Sequence, residues 1–152
     1  IPHGPNKYLM AVTNLRGWAL KLVRGYGIEV RGIIMTNGFK SLKVWQEAKQ
    51  LAIDVYHLCR TTELAKDFGL KDQISRAAVS VPSNIAEGDE RDTNKDSVRF
   101  LFIAKGSLAE LQTQLEIAAA VGLIPKQKQA ELEQNCQKIG RMLGALIKAR
   151  RP

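Results

Sequence analysis

The stretch from Lys95 to about Val121 constrains the fold more than any other part of this chain. Leu101, Ala104, Leu108, Leu111, Leu115 and Ala118 follow one another in alternating steps of three and four. That is the seam of a helix packed in a left-handed bundle, and no strand keeps those residues on one face. About 27 residues at 1.5 Å each make a rod of roughly 40 Å. Such a rod buries its seam only against other helices of similar length. Phe100, Phe102 and Ile103 broaden the face, so the helix is expected to contact more than its own bundle. Thr93 with Asp96 supplies a capping pair at its start, and Asn94 is a competing cap. Gly122 stops it and Pro125 opens the next helix. Gly106 costs about 1 kcal/mol relative to Ala in a helix interior. Its presence suggests a close backbone approach, to the second helix.

Three more helical segments share the period. From about Ser41, a possible N-cap, to Arg60, the stripe is Trp45, Ala48, Ala52, Val55 and Cys59, widened by Val44, Leu51 and Leu58. Residues 61–69 form a connection closed by Gly69, with Leu64 and Phe68 as candidate plugs for the bundle end. From about Leu70 to Glu87 the apolar face is Leu70, Ile74, Ala77, Ala78, Val81 and Ile85, with Gly88 as the stop. Pro82 lacks a donor and crowds the Ala78 carbonyl, which predicts a kink whose freed groups Ser83 and Asn84 take up. From about Pro125 to Ala149 the stripe is Leu132, Cys136, Ile139, Leu143 and Leu146. Short links between four such segments predict an all-α, antiparallel up-and-down four-helix bundle over residues 39–151.

Residues 1–38 differ. The chain carries a net charge of +8, from 23 Lys and Arg against 15 Asp and Glu. Half of it lies before residue 35, where Lys7, Arg16, Lys21, Arg24 and Arg31 face only Glu29. Leu15, Ala19, Leu22 and Val23 suggest a short amphipathic helix over 8–24, weakened by Gly17; Ile28 to Ile34 reads as a strand with no evident partner. Met35, followed by Thr36, Asn37 and Gly38, reads as a natural start. The segment is therefore expected to be a basic N-terminal extension, either non-native or poorly ordered. The alternative is a basic arm that binds nucleic acid or a partner subunit. No apolar run of about 18 residues and no signal-peptide pattern is present, so no membrane span and a cytoplasmic location are expected. Cys59 and Cys136, far apart in apolar helical contexts, read as buried thiols.

The chemistry motifs are few. There is no P-loop, dinucleotide fingerprint, paired-cysteine motif or HExxH, and the histidines are only His3 and His57. No metal or cofactor is expected. Ser80, Ser83 and Ser107 have no credible base, and Ala77 and Ala78 add to the small-residue character of the second helix. Arg76, Asn84, Glu87, Ser107 and Glu110 are expected to form a structural polar network along the second and third helices. A remote alternative makes Glu87 and Glu110 the acid and base of a hydrolase. Lys95, Arg99, Lys138, Arg141, Lys148, Arg150 and Arg151 are candidates for phosphate contacts, against the plainer reading of a solvated surface. The expectation is a non-enzymatic, assembling bundle that binds RNA or DNA or acts as an adaptor. The alternative is a self-assembling or protein-adaptor module without a nucleic-acid ligand.

The blocks GLKDQISRAAVSVPSNIAEGDER and SVRFLFIAKGSLAELQTQLEIAAAVGLI, preceded by KSLKVWQEAKQLAIDVYHLCR, carry a resemblance. Together they resemble the small proteins encoded by intervening sequences within bacterial 23S rRNA genes, over about Phe39 to Leu146. The joint pattern includes Gln73, Arg76, Ala77, Ser80, Pro82 to Gly88, then Ala104, Gly106, Ser107 and Glu110. The resemblance implies an antiparallel four-helix bundle assembled as a ring-like homopentamer. It is similar also to the accessory protein of diversity-generating retroelements, which implies an RNA or DNA partner or a protein partner. It implies no catalytic residue; Asn84, Glu87 and Glu110 match recurrent polar positions of structural character. The segment before Met35 lies outside the family pattern.

Overall fold

The structure, a computed structural model, describes residues 38–151 throughout and, before them, four short strands. The chain divides into two units, Ile1–Gly38 and Phe39–Pro152. The strands of the first unit are β1 (Ala11–Thr13), β2 (Ala19–Val23), β3 (Gly27–Val30) and β4 (Ile33–Met35). They form an antiparallel meander in the order β1-β2-β3-β4, with Leu20 opposite Val30 and Ile28 opposite Met35. Three readings of this segment are corrected. The helix expected over 8–24 is replaced where β1 and β2 lie. The strand expected from Ile28 to Ile34 is two strands, and it has partners. All-α therefore describes the second unit and not the whole chain. The helical spacing of Ala19, Leu22 and Val23 concealed a strand, because so short an apolar run fits either period. The remaining residues of the basic segment, Lys7, Arg16, Arg24 and Arg31, lie outside the described residues.

The second unit is a bundle of four helices. After one 3-10 turn (Gly38–Ser41) come α1 (Lys43–Thr61), α2 (Phe68–Asp89), α3 (Asn94–Ala120) and α4 (Lys126–Arg150). Each helix packs on its sequence neighbour and α4 closes back on α1, an up-and-down arrangement. Leu51, Val55, Ile74, Val81, Ile85, Leu101, Leu111, Leu115, Ile139 and Leu143 are at most 1 % exposed and come from all four helices. The whole seam read for α3 is buried.

The helix ends show how local chemistry sets the boundaries. Thr93 caps α3, its Oγ1 accepting from the Asp96 amide at 3.1 Å and donating to the Asp96 carboxylate at 2.6 Å. At the far end Gly122 takes φ +80°, Leu123 N–H bonds the Ala118 carbonyl at 2.8 Å and Gly122 N–H the Ala119 carbonyl at 3.2 Å. This double closure needs a left-handed residue at the position glycine fills. Leu123 O then accepts from Leu64 N at 3.2 Å, which joins the α1–α2 and α3–α4 connections at one end of the bundle. Leu64 is fully buried there, whereas Phe68 is 74 % exposed beneath Lys71 and plugs nothing.

Some boundaries differ from the sequence reading. Ser41 closes the 3-10 turn, and Leu42 occupies the α1 N-cap position without a side-chain bond. Asp67 caps α2, accepting from Leu70 N at 3.0 Å. Gly88 does not stop α2, which continues to Asp89. A Cβ at Gly88 would lie 3.0 Å from Ser97 O and 3.1 Å from Phe100 Cβ, so glycine is there to let α3 approach. Gly106, expected to serve that purpose, faces outward with nothing within 4 Å of the Cβ position. Pro82 sits inside α2, and the side chains after it bond the Val79 and Ser80 carbonyls, both at 2.8 Å, rather than that of Ala78.

Candidate functional site

The polar residues proposed for one network divide into separate groups. Ser80 and Ser107 join hydroxyls across α2 and α3 at 2.8 Å, and Asn84 Nδ2 donates to Ser80 Oγ at 3.0 Å. Antiparallel packing brings these three small polar groups into a narrow gap, where each satisfies another. Arg76 and Glu87 belong elsewhere. Arg76 lies on the exposed face, paired with Asp72 at 2.8 Å, and exposed Glu87 pairs with Arg91 one turn on. Glu110 is exposed on α3. The expected five-residue network therefore reduces to Asn84 and Ser107, with Ser80 as the missing bridge.

The same register corrects the hydrolase alternative. Ser80 faces Ser107 and Gly88 faces Ser97, so Glu110 is level with residues near Ala77. That is about ten residues, roughly 15 Å of helix rise, from Glu87. Even inverting glycoside hydrolases, which leave room for a water between their two carboxyl groups, keep them within about 9.5 Å. Among the described residues no group of three or more His, Cys, Asp or Glu is placed to hold a metal ion.

The cation candidates also separate. Arg150 is spent in the fold: it donates to Ser97 Oγ at 2.5 Å and pairs with Asp89, tying the end of α4 to the end of α2 and the start of α3. Both charged side chains are mostly buried, at 20 % and 16 % exposure, so this is a structural clamp. Lys138 pairs with Glu47 of α1 at 2.9 Å, and with Lys43 it holds the Glu47 carboxyl below the usual carboxylate range. Lys95, Arg99, Arg141 and Lys148 are exposed, and Arg151 sits 5.3 Å from the centre of the Phe102 ring.

What remains is a one-signed face along half of the α3/α4 pair. Ser97 meets Arg150, Phe102 meets Arg151, and a Cβ at Gly140 would touch Leu108, so residues 97–109 run beside residues 134–151. Neither stretch contains a single Asp or Glu. Their cations are Arg99, Lys105, Lys138, Arg141, Lys148, Arg150 and Arg151, of which, among the described residues, only Lys138 and Arg150 are paired with carboxylates. Lys105 was missed in the sequence. The absence of acidic residues in two stretches that become neighbours would have pointed to it. Beyond Glu133, which accepts from Gln112 at 2.8 Å, carboxylates return.

The comparisons can now be set against this geometry. A model described as "23S rRNA-intervening sequence protein" matches residues 40–145. The chain belongs to that family. The matched span is the bundle, and it lies wholly after the meander. Among solved structures, the family's fold recurs in a crystal structure of a protein with unknown function from the S23 ribosomal protein family of Bacteroides thetaiotaomicron VPI-5482. That protein is 22 % identical, with a TM-score of 0.64, over 69 % of this chain and 98 % of its own. At this identity the likeness speaks to the fold. A comparison with curated proteins finds no match. The matches support the family and do not extend to the retroelement accessory protein. Among the described residues no helix is long and apolar enough to cross a membrane.

Proposed function

We propose that this chain is a non-catalytic bundle that binds nucleic acid through the α3/α4 face. The observation that carries this reading is the run of Arg99, Lys105, Arg141, Lys148 and Arg151 on two adjacent stretches without one carboxylate. Most surface cations of a folded domain are interleaved with acids, as Lys43, Lys66, Arg76 and Lys128 are here. A face without acids holds its field, and a field of one sign attracts phosphate backbones. The helices offer no aromatic sheet platform for reading bases, so contact is with backbone phosphates and independent of sequence. RNA is favoured by the family's origin in ribosomal RNA genes.

A second reading accompanies it and rests on another observation. Phe102 and Ile103 are each 43 % exposed, Ile117 48 % and Val121 63 %, all on the outside of α3, with Gly106 open among them. Such an exposed apolar surface supports packing on something beyond its own bundle. Self-association follows, and the ring-like pentamer implied by the resemblance is its expected closed form. A cytoplasmic location is the matching expectation.

The test is titration of fluorescent structured RNA, single-stranded RNA and duplex DNA across a salt series. The parent is compared with a variant in which Arg99, Lys105, Arg141 and Lys148 are all Gln, and with a control in which Lys43, Lys66 and Lys128 are Gln. Binding by the parent should weaken log-linearly with salt, by roughly 0.9 log units of affinity per log unit of salt for each phosphate contacted on duplex DNA and roughly 0.7 on a single strand. The face variant should lose most of that slope and the control little. Equal binding by all three proteins would refute the face, and no binding at low salt would favour a protein-adaptor role.

A further inference from the structure

Four rings among the described residues carry a lysine or an arginine: Trp45, Phe68, Phe100 and Phe102. Three of them stand beside carboxylates. Arg91, over Phe100, is paired with Glu87; Asp67 precedes Phe68 and caps α2; Glu47 lies two residues from Trp45. Of the four, only Phe102 lies in a stretch, and opposite a stretch, without an acidic residue. It is 43 % exposed, and the Arg151 guanidinium stands over it, 5.3 Å from its centre. A single exposed phenylalanine is ordinary on a folded surface. What sets this ring apart is that a guanidinium lies over it inside a field of one sign.

The helix places cations on both sides of the ring. Arg99 is one turn before Phe102 and Lys105 one turn after it, so about 9 Å of rise holds all three. On α4, Lys148 is one turn before Arg151 and so near the level of Phe102. Among the described residues none of these four cations is in an ion pair. Arg151 is anchored at its backbone. Its N–H bonds the Ile147 carbonyl at 3.0 Å, and Arg150 before it is clamped to Ser97 and Asp89. The fold therefore sets guanidinium and ring together before a ligand arrives, which lowers the ordering cost of binding. The seam of α3 runs through Leu101, Ala104 and Leu108, all buried, and the Phe102 ring lies outside the core.

We infer that the α3/α4 face takes single-stranded nucleic acid, one unpaired base stacking on Phe102 beside Arg151 while Arg99, Lys105 and Lys148 hold the neighbouring phosphates. This rests on the nucleic-acid reading above and names the form of the ligand. Phosphate contact alone serves a strand and a duplex alike. An open ring separates them, because a duplex keeps its bases paired and stacked on one another, whereas an unpaired base has a face to offer. Every base has such a face, so stacking adds affinity to the backbone contacts without adding a sequence preference. The arginine beside the ring adds to the same attraction.

The experiment is an anisotropy titration of the whole chain with three ligands across a salt series. They are a single-stranded oligonucleotide, an abasic strand with the same number of phosphates, and a duplex. The parent is compared with Phe102→Ala and Phe102→Trp, folding being checked by circular dichroism and mass by light scattering. Phe102→Ala should weaken single-strand binding about 5- to 150-fold, the range spanned by loss of one stacked aromatic. Its salt slope should match the parent's, since the phosphate contacts stay, and its binding of the abasic strand and the duplex should be unchanged. Phe102→Trp should restore the single-strand affinity. Equal single-strand affinity of parent and Phe102→Ala, or an equal loss toward all three ligands, would overturn the stacking role and leave the cationic face standing. A parent that binds none of the three at low salt would overturn both. A Phe102→Ala variant lighter than the parent in light scattering would assign the ring to contact between copies and overturn the base as its occupant.

Discussion

Gly88 and Gly106 both stand inside long helices, and the structure gives opposite signs to the same substitution at the two sites. At Gly88 a methyl group would lie 3.0 Å from Ser97 O and 3.1 Å from Phe100 Cβ. One neighbour is backbone and the other a Cβ, so neither can turn away by changing rotamer. Ser97 is held further by Arg150. Separating α2 from α3 to admit the methyl costs about 1–3 kcal/mol, the range for overpacking a fitted interior. The better helix propensity of Ala returns at most about 1 kcal/mol, and less in a last turn. Gly88→Ala should therefore lose about 1–2 kcal/mol, or roughly 4–10 °C in Tm for a bundle of this size. At Gly106 there is nothing to displace, and Ala should gain about 0.5–1 kcal/mol. Urea unfolding followed by circular dichroism, at a dilution where the protein is monomeric, reads both, with an unchanged m value as the check that the end states are the same. A Gly88→Ala variant as stable as the parent, or a destabilised Gly106→Ala monomer, would refute the close-approach argument.

The Arg150 clamp predicts a loss of about 2–3 kcal/mol for Arg150→Met, below the roughly 3–5 kcal/mol of a fully buried broken pair because water still reaches both side chains. Asp89→Asn on that background should recover part of it, and an unchanged urea midpoint for Arg150→Met would show that the clamp is dispensable. Burial raises both thiols, and with Glu133 nearby pushes Cys136 up to about 12. A thiol reagent at neutral pH should modify neither cysteine in the folded protein and both in denaturant; rapid reaction of the native state would contradict the burial of either. The depressed Glu47 carboxyl, bonded first by Lys138 and then by Lys43, stabilises the fold above the unfolded carboxylate pKa. That stabilisation is lost as pH falls through the lower folded value, so the advantage of the parent over Glu47→Gln should vanish across that window. A difference that is flat from neutral pH into acid would remove Glu47 from the α1–α4 contact.

Periodicity alone was enough to read most of the core, although Ile147 rather than Leu146 ends the α4 stripe and Val44 rather than Trp45 begins that of α1. Leu101, Ala104, Leu108, Leu111, Leu115 and Ala118 of α3 are all buried, as are Leu132, Cys136, Ile139 and Leu143 of α4. A helical stripe fixes its inward direction to within a few tens of degrees, which suffices for an apolar side chain. It does not suffice for polar contacts, where the same error separates a bond from none. Thus Ser80, Asn84 and Ser107 meet across α2 and α3 while Arg76 and Glu87 turn outward to Asp72 and Arg91. Arg150 and Asp89 are 61 residues apart, and no local pattern announces a contact at that separation. The two glycines were misread for a related reason. A helix interior makes glycine costly at either site, but only the neighbouring helix tells which one is crowded.

The burial pattern of α3 bears on why its outer face deserves a partner. A helix in a monomeric bundle needs one apolar stripe, and α3 has that in its seam. A second stripe with Ile103, Ile117 and Val121 faces water without serving the fold, and Gly106 weakens the helix at its centre without relieving any contact in this chain. Both features cost stability in the monomer, and both become favourable once a second helix lies against them. The cationic run on α3 and α4 behaves alike. Arg99, Lys105, Arg141, Lys148 and Arg151 repel one another on the free protein, and phosphates along one strand would relieve that repulsion. On the reading proposed above, assembly repeats this face from copy to copy, so that a nucleic acid held by one protomer meets the next at high effective concentration. The two proposals are therefore coupled: if copies associate, the number of phosphates one assembly can contact exceeds the five cations of a single face.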